Sequence, residues 1–271
     1  MSNLGIYIPS RGRSKVINKG IVTQLPDTFP IYLVVPSEEL EEYGEVAPDY
    51  IKVISCKVEG IAATRQWIME NAEESFIMYM SDDVEISHRN HEGKLRPSSV
   101  EDVSSMLNQF VELLHVHGYT HVGVSQRAFN HSTTEPYIEI GRMNDVYAYR
   151  RKDVLASGAR FDNLEVMEDF DVTLTLLEMG FPNIVFYNYA WSQRKSGESG
   201  GCSSYRTWKM QRKAAFKLAE RHPGCVRIVT KKSKEAWENV GAHRVDVNIN
   251  WKKAYRPKRR TKKSGVAEFF K

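Results

Sequence analysis

Short apolar runs recur through the first half of the chain, each closing on Pro, Gly, Ser or Asp. They lie at residues 4–8, 31–35, 51–56, 76–80 and 121–125. Runs of this length, rich in β-branched and aromatic residues, read as buried strands. Between them, residues 37–43, 60–72 and 98–117 have helical spacing, and the last opens on a capping-box pattern, Ser99 with Asp102. This alternation predicts an α/β fold in which a mixed, mostly parallel sheet is flanked by helices. The second half is less regular. Residues 144–150 and 183–189 read as strands, and 165–179 and 204–220 as helices. Residues 244–251 alternate like a strand, with Val245, Val247 and Ile249 on one face. Residues 192–203 are rich in Gly and Ser without apolar period and read as a mobile loop.

Composition fits that picture. With 271 residues, 41% hydrophobic and 27% charged, the chain reads as globular, either one large domain or one domain with an appendage. No apolar run approaches a membrane span, and Met1-Ser2-Asn3-Leu4 opens no secretory signal. Cys56, Cys202 and Cys225 have no metal-ligand spacing and fit a reducing cytoplasm. The net charge of +4 hides an asymmetry: residues 251–271 hold nine Lys or Arg and one acid, so the first 250 are net negative. The expected organisation is a catalytic-type body at 1–250 and a basic tail at 251–271.

Chemistry concentrates in four segments. The run Phe76-Ile77-Met78-Tyr79-Met80 ends in Ser81-Asp82-Asp83. In open α/β sheets ligands bind at the carboxyl ends of strands, and two adjacent carboxylates there call for a cation. A divalent metal that also touches a ligand's phosphates meets that need; a solvated turn or a helix cap is the ordinary alternative. Pro9-Ser10-Arg11-Gly12-Arg13 follows the first strand, with guanidiniums suited to phosphate or to stacking on a base. Gly60-Ile61-Ala62-Ala63-Thr64-Arg65 opens a helix after the third strand, where a glycine permits close approach and the helix end favours an anion. Met167-Glu168-Asp169-Phe170-Asp171 offers carboxylates on a helix, as a general base or as an ordinary acidic first turn. His115, His117 and His121 do not share a helix face and read as structural.

Taken in order, these segments resemble nucleotide-sugar glycosyltransferases of the GT-A fold, over about residues 4–220. Within that fold, Gly5-Ile6-Tyr7-Ile8-Pro9-Ser10-Arg11-Gly12-Arg13, Ser81-Asp82-Asp83 and Trp191 with Gly200-Gly201 resemble the phage TET-associated glycosyltransferases. The resemblance implies a GT-A-like, Rossmann-type sheet and a hexosyltransferase that takes a nucleotide sugar, a UDP-sugar first. It implies donor contacts from Pro9, Arg11, Arg13, Gly60, Arg65, Asp82, Asp83, Lys195, Gly200 and Gly201. It implies a divalent metal, Mn or Mg, on Asp83 and Asp82, and a base at Asp169 or, second, Glu168. The 197–202 loop would close over the donor. Two departures stand out: Ser81 replaces an acidic residue, and Ala190-Trp191-Ser192-Gln193 holds no late His as a further ligand.

The tail bears on the acceptor. Lys252, Lys253, Arg256, Lys258, Arg259 and Arg260 suit sequence-independent phosphate contacts, and Trp251 and Tyr255 offer stacking faces. With the resemblance, this points to DNA carrying a hydroxymethylated pyrimidine, modified in the cytoplasm of a phage host. The competing readings are a polysaccharide or protein acceptor, a nucleotidyltransferase (disfavoured by the single glycine of Pro9–Arg13), and a DNA-binding protein without catalysis. The sugar, the base, the stereochemical course and the oligomeric state are not written in these motifs.

Overall fold

The computed structural model describes residues 3–132, 134–193, 206–232, 243–257 and Phe270. The strands are β1 (Leu4–Pro9), β2 (Ile31–Pro36), β3 (Lys52–Cys56), β4 (Phe76–Met80), β5 (Val84–Arg89), β6 (Leu95–Pro97), β7 (His121–Gln126), β8 (Tyr137–Glu139), β9 (Val146–Arg150), β10 (Asn183–Gln193), β11 (Val226–Lys232) and β12 (His243–Ile249). The helices are α1 (Leu40–Val46), α2 (Ile61–Asn71), α3 (Val100–His115), α4 (Arg151–Ser157), α5 (Glu168–Glu178), α6 (Trp208–Arg221) and α7 (Trp251–Ala254).

Ten strands form one sheet in the order β3-β2-β1-β4-β9-β7-β10-β5-β6, with β8 on β10. β1 to β4 pair in parallel, β7 pairs in parallel with β10, and β9, β5 and β8 run against their neighbours. The sheet is therefore mixed, with most strands pointing one way. β4 is buried along its whole length because both faces are covered. On one face lies α3, whose Val103, Met106, Leu107, Phe110, Leu113 and Leu114 form a continuous apolar stripe. On the other lie α2, α4 and α5, through Ile68, Met69, Val154, Val172 and Leu176.

A third core joins the far side of α5 to α6, the β11–β12 hairpin and α7, around Leu174, Leu177, Ala215, Leu218, Val226 and Val247. Among the described residues no helix is long and apolar enough to cross a membrane.

The expected strands and helices of the first half are present, and Ser99 and Asp102 form the capping box. Several elements differ. β5, β6, β8, β11 and α4 were not expected. β5 begins directly after Asp83, in a segment whose polar residues masked the alternation of buried Val84 and Ile86 around exposed Glu85. The helix expected at 165–179 begins only at Glu168, because Met167 takes a left-handed conformation (φ 66). The strand expected at 244–251 ends at Ile249, and Asn250 caps α7 by accepting the Lys253 amide hydrogen bond at 3.0 Å. The basic segment thus starts folded: Ala254 is buried, and the Arg256 amide donates to the Leu177 carbonyl at 3.1 Å.

Candidate active site

The carboxyl ends of β1 and β4 lie side by side, since Tyr7 pairs with Tyr79. This brings the loop after Pro9 against Ser81-Asp82-Asp83. Ser10 donates a hydrogen bond to Asp82 at 2.5 Å, and Arg13 forms ion pairs with Asp82 and, at 3.1 Å, with Asp83. Tyr43 of α1 braces the loop from behind, accepting from the Arg13 amide at 2.9 Å and hydrogen bonding Ser10 at 2.7 Å. Gly20 closes the other side. A β-carbon there would collide with the Asp82 carbonyl oxygen, so only glycine lets the chain pass this close.

Burial would weaken the Arg13 charge, but Asp82 and Asp83 outweigh it and hold the guanidinium above its ordinary pKa. The Asp83 carboxyl is raised, first by burial and then by Asp82 next to it, against the pull of Arg13.

A second cluster opens α5. Arg65, buried on α2, forms an ion pair with buried Glu168 and stacks over the Tyr147 ring at 5.4 Å. The Tyr79 hydroxyl ties α2 in place by donating to the Arg65 carbonyl at 2.7 Å. Asp169 is half-buried beside this pair. Its carboxyl is pushed up to about 7, first by burial and then by the Glu168 charge, with Arg65 and Arg142 opposing. The neighbouring Asp171 has a different task. Fully buried, it accepts from Arg221 at 2.6 Å, from His222 at 2.9 Å and from Asn163 at 3.1 Å. Burial alone would raise it, but these donors hold its carboxyl below the ordinary value, and they fasten α6 to α5.

The two clusters are joined by a residue the motifs did not single out. β9 runs antiparallel to β4, with Val146 opposite Met80, so Asp145 lands beside the acidic loop. Asp145 adopts φ 61, its carbonyl accepts the Ser81 amide at 3.0 Å, and its carboxylate accepts the Ser81 hydroxyl at 2.9 Å. Its charge acts on Asp83, on Arg65 and on Asp169. Arg142 is a second such residue, with its guanidinium over Phe170 at 5.0 Å and over Phe129 at 5.5 Å. The signal for both was Arg142-Met143-Asn144-Asp145 at the entry to an antiparallel strand next to β4, visible only once the pairing is known.

Arg11, the loop's third named residue, does not join the acidic pair. It lines a cleft of about 380 Å³ with Gly60, Ala63, Glu165 and Met210. Gly60 sits there at φ 86 and ψ 152, a conformation closed to other residues, and starts α2. Lys252 and Lys253 lie exposed on α7, and Arg256 pairs with Glu178 at 3.5 Å. Lys195, Gly200, Gly201, Lys258, Arg259 and Arg260 lie outside the described residues, as does most of the loop expected at 192–203. His121 is structural: burial lowers its pKa to about 4, and Nε2 lies 3.1 Å from the Phe181 carbonyl.

The acidic pair fits a divalent cation in donor chemistry, since carboxylate oxygens are what a hard ion takes. Both Asp82 oxygens already accept from Ser10 and Arg13, which leaves Asp83 as the better ligand. Among the described residues, no group of three or more His, Cys, Asp or Glu is placed to hold a metal.

A family model described as TET-Associated Glycosyltransferase matches residues 4–201. Two curated relatives carry the name beta-glucosyl-HMC-alpha-glucosyl-transferase. That of Enterobacteria phage T6 is 21% identical over 237 residues and covers 80% of each chain. That of phage T2 is 20% identical over 219 residues, covering 73% of this chain and 74% of the relative. Among solved structures, S. aureus TarS 1-349 in complex with UDP-GlcNAc superposes with a TM-score of 0.52 at 13% identity, over 80% of this chain and 66% of that one. The mannosyltransferase PcManGT of Pyrobaculum calidifontis, in complex with GDP-Man and Mn2+, gives 0.51 at 11% identity, over 81% and 63%. The chain thus spans about two thirds of the length of these solved structures, and the likeness shows a GT-A fold.

Proposed function

This chain belongs to the TET-Associated Glycosyltransferase family and is a glycosyltransferase, and from that premise we propose that it moves a sugar from a UDP-sugar to a hydroxymethylated pyrimidine in phage DNA. The observation that carries the reading is the division of labour between two adjacent carboxylates. Glu168 has its charge matched by buried Arg65, while Asp169 is left half-buried with a carboxyl near 7. A base poised near the working pH is what deprotonation of an acceptor hydroxyl requires. The T6 and T2 relatives are named for a beta-glucosyl-HMC acceptor, which supports an HMC-type base in DNA as the acceptor class; that the sugar goes to the hydroxymethyl group itself is our own reading.

In this reading the nucleotide lies in the cleft at Arg11 and Gly60, and the diphosphate faces Arg13, Asp82 and Asp83. Asp169 takes the proton of the hydroxymethyl group as its oxygen attacks the anomeric carbon in line with the departing nucleoside diphosphate, inverting that centre. Arg65 keeps Glu168 from competing for the proton and holds α2 against α5. Ser10, Tyr43 and Gly20 hold the acidic loop rigid, so its charge pattern is set before the donor arrives. Asp83, with Asp82 beside it, would hold a divalent cation, which would supply charge neutralisation to the leaving diphosphate.

Thermal shift with a panel of UDP- and GDP-sugars, with and without manganese, tests the donor site. A ligand that binds only the folded state raises the melting temperature. One donor is expected to shift the wild type in a manganese-dependent way and to leave Asp83→Ala unmoved. No shift with any donor would overturn the assignment of the cleft.

A further inference from the structure

We propose that the outer face of α6 is the surface on which the DNA acceptor is seated. The inference deepens the acceptor reading above and rests on it. α6 buries Ala214, Ala215 and Leu218 in a core shared with the β11–β12 hairpin and with Leu174 and Leu177 of α5, the helix that carries Asp169. Its other face presents Trp208, Arg212 and Phe216 at successive four-residue steps. The Arg212 guanidinium stacks between the two rings, 5.3 Å from Trp208 and 5.6 Å from Phe216, and Phe216 is left 50% exposed. Lys209, Lys213 and Lys217 flank this column in the open.

One exposed aromatic needs no partner by itself; what marks this face is that Phe216 stands in a stacked column with Arg212 and Trp208, beside a row of exposed lysines. Here the partner's chemistry follows from the charge. The described residues of 206–257 hold thirteen Lys or Arg against two acids, so with the chain at +4 everything else is net negative. The surplus is only partly matched: among the described residues Lys213, Arg221, Lys231, Arg244 and Arg256 pair with acids, while Lys209, Arg212 and Lys217 of α6 do not. Nor is the basic character confined to the helix. By register, Arg227, Lys231 and Arg244 share the face of the β11–β12 hairpin turned away from Val226 and Val247, where Asp246 pairs with the last two, and Lys253 of α7 reaches the turn at Gly224 that follows α6.

A polyanion with flat faces meets both features. Phosphates take the lysines, while the Trp208-Arg212-Phe216 column offers stacking and cation–π contact to sugar and base edges. At about 1.5 Å per residue, α6 runs about 21 Å, the axial span of about six base pairs. The seat is also in the right place, because Met210 of α6 forms one wall of the cleft at Arg11 and Gly60. A base drawn out of a duplex resting there has a short path to α5.

The test is fluorescence anisotropy of a short duplex with the full chain, titrated over a salt series, for wild type, Arg212→Glu, Phe216→Ala and Lys152→Glu. Lys152 is an exposed lysine of α4 and serves as a charge-matched control. Arg212→Glu is expected to weaken binding about tenfold and to lower the salt slope by about one. Phe216→Ala, which removes no charge, is expected to cost roughly fivefold. Lys152→Glu is expected to stay near wild type. The donor-induced thermal shift, retained in every variant, would show the fold and donor site intact. If wild type binds the duplex and Arg212→Glu matches Lys152→Glu, the surface is wrong while the DNA acceptor stands. If wild type binds anionic vesicles and no duplex, surface and acceptor both fall, and the transferase assignment survives on the donor shift.

Discussion

Replacing Asp169 by Asn keeps the shape of the side chain and removes the base. Turnover is expected to fall by a factor of about 10² to 10⁴ with little change in donor affinity. Wild-type turnover should rise with pH through about 7 as the carboxyl loses its proton, and the variant should lack that limb. The same shift predicts a stability effect of definite sign. A carboxyl raised in the folded state holds its proton more tightly than in the unfolded chain, so folding stability drops as pH climbs from about 4 to about 7, then levels. Asp169→Asn should therefore melt higher than wild type at pH 8 and nearly level with it at pH 4. A variant as active as wild type would remove Asp169 from the chemistry.

At this scale the sequence disclosed residue types and little of their pairing. Glu168 and Asp169 were legible as a carboxylate pair, but which one remains available depends on Arg65, 103 positions earlier. Likewise Arg13 was readable as a phosphate ligand, whereas its ion pairs with Asp82 and Asp83 depend on β1 lying beside β4.

Among the elements, the connection through Gly20 and the α5–α6 junction are the parts the site leans on. Gly20→Ala forces a methyl group against the Asp82 backbone. The expected cost is about 1–3 kcal/mol in chemical denaturation, with weakened donor binding because the acidic loop must move. Asp171→Ala leaves Arg221 and His222 without their buried partner, and about 3 kcal/mol of stability should go with it. Activity per folded molecule should change far less than in Asp169→Asn, which separates the two aspartates of one helix.

The regular elements were readable where a single period dominates: the capping box and apolar stripe of α3, and the strands of the parallel half. They were missed where pairing supplies the stability. β5 gains its stability from β10, a partner about a hundred residues distant, β6 is three residues long and hangs on β5, and β8 is also three residues long. The late start of α5 follows from one backbone angle at Met167, which no periodicity reports.

Across the whole molecule, a net-negative body carries the sheet and its acidic site, and a basic layer of α6, hairpin and α7 is bound to it through α5. The sequence showed this asymmetry as a tail beginning at residue 251. The structure extends the basic region back to α6, because the cations of 208–232 are interleaved with the apolar residues of a core and form no run. The family was legible because four motifs kept their order; the proposed acceptor seat was not, since it draws on three separate segments.

The most direct test is transfer itself. The protein would be incubated with the donor identified by thermal shift and with duplex DNA containing hydroxymethylated or unmodified pyrimidine, and the digested nucleosides read by mass spectrometry. One hexose added to the hydroxymethylated base, absent on unmodified DNA and lost with Asp169→Asn, is the predicted result. Consumption of the donor with no sugar on any nucleoside would contradict the DNA acceptor and point the same catalytic centre at a different hydroxyl.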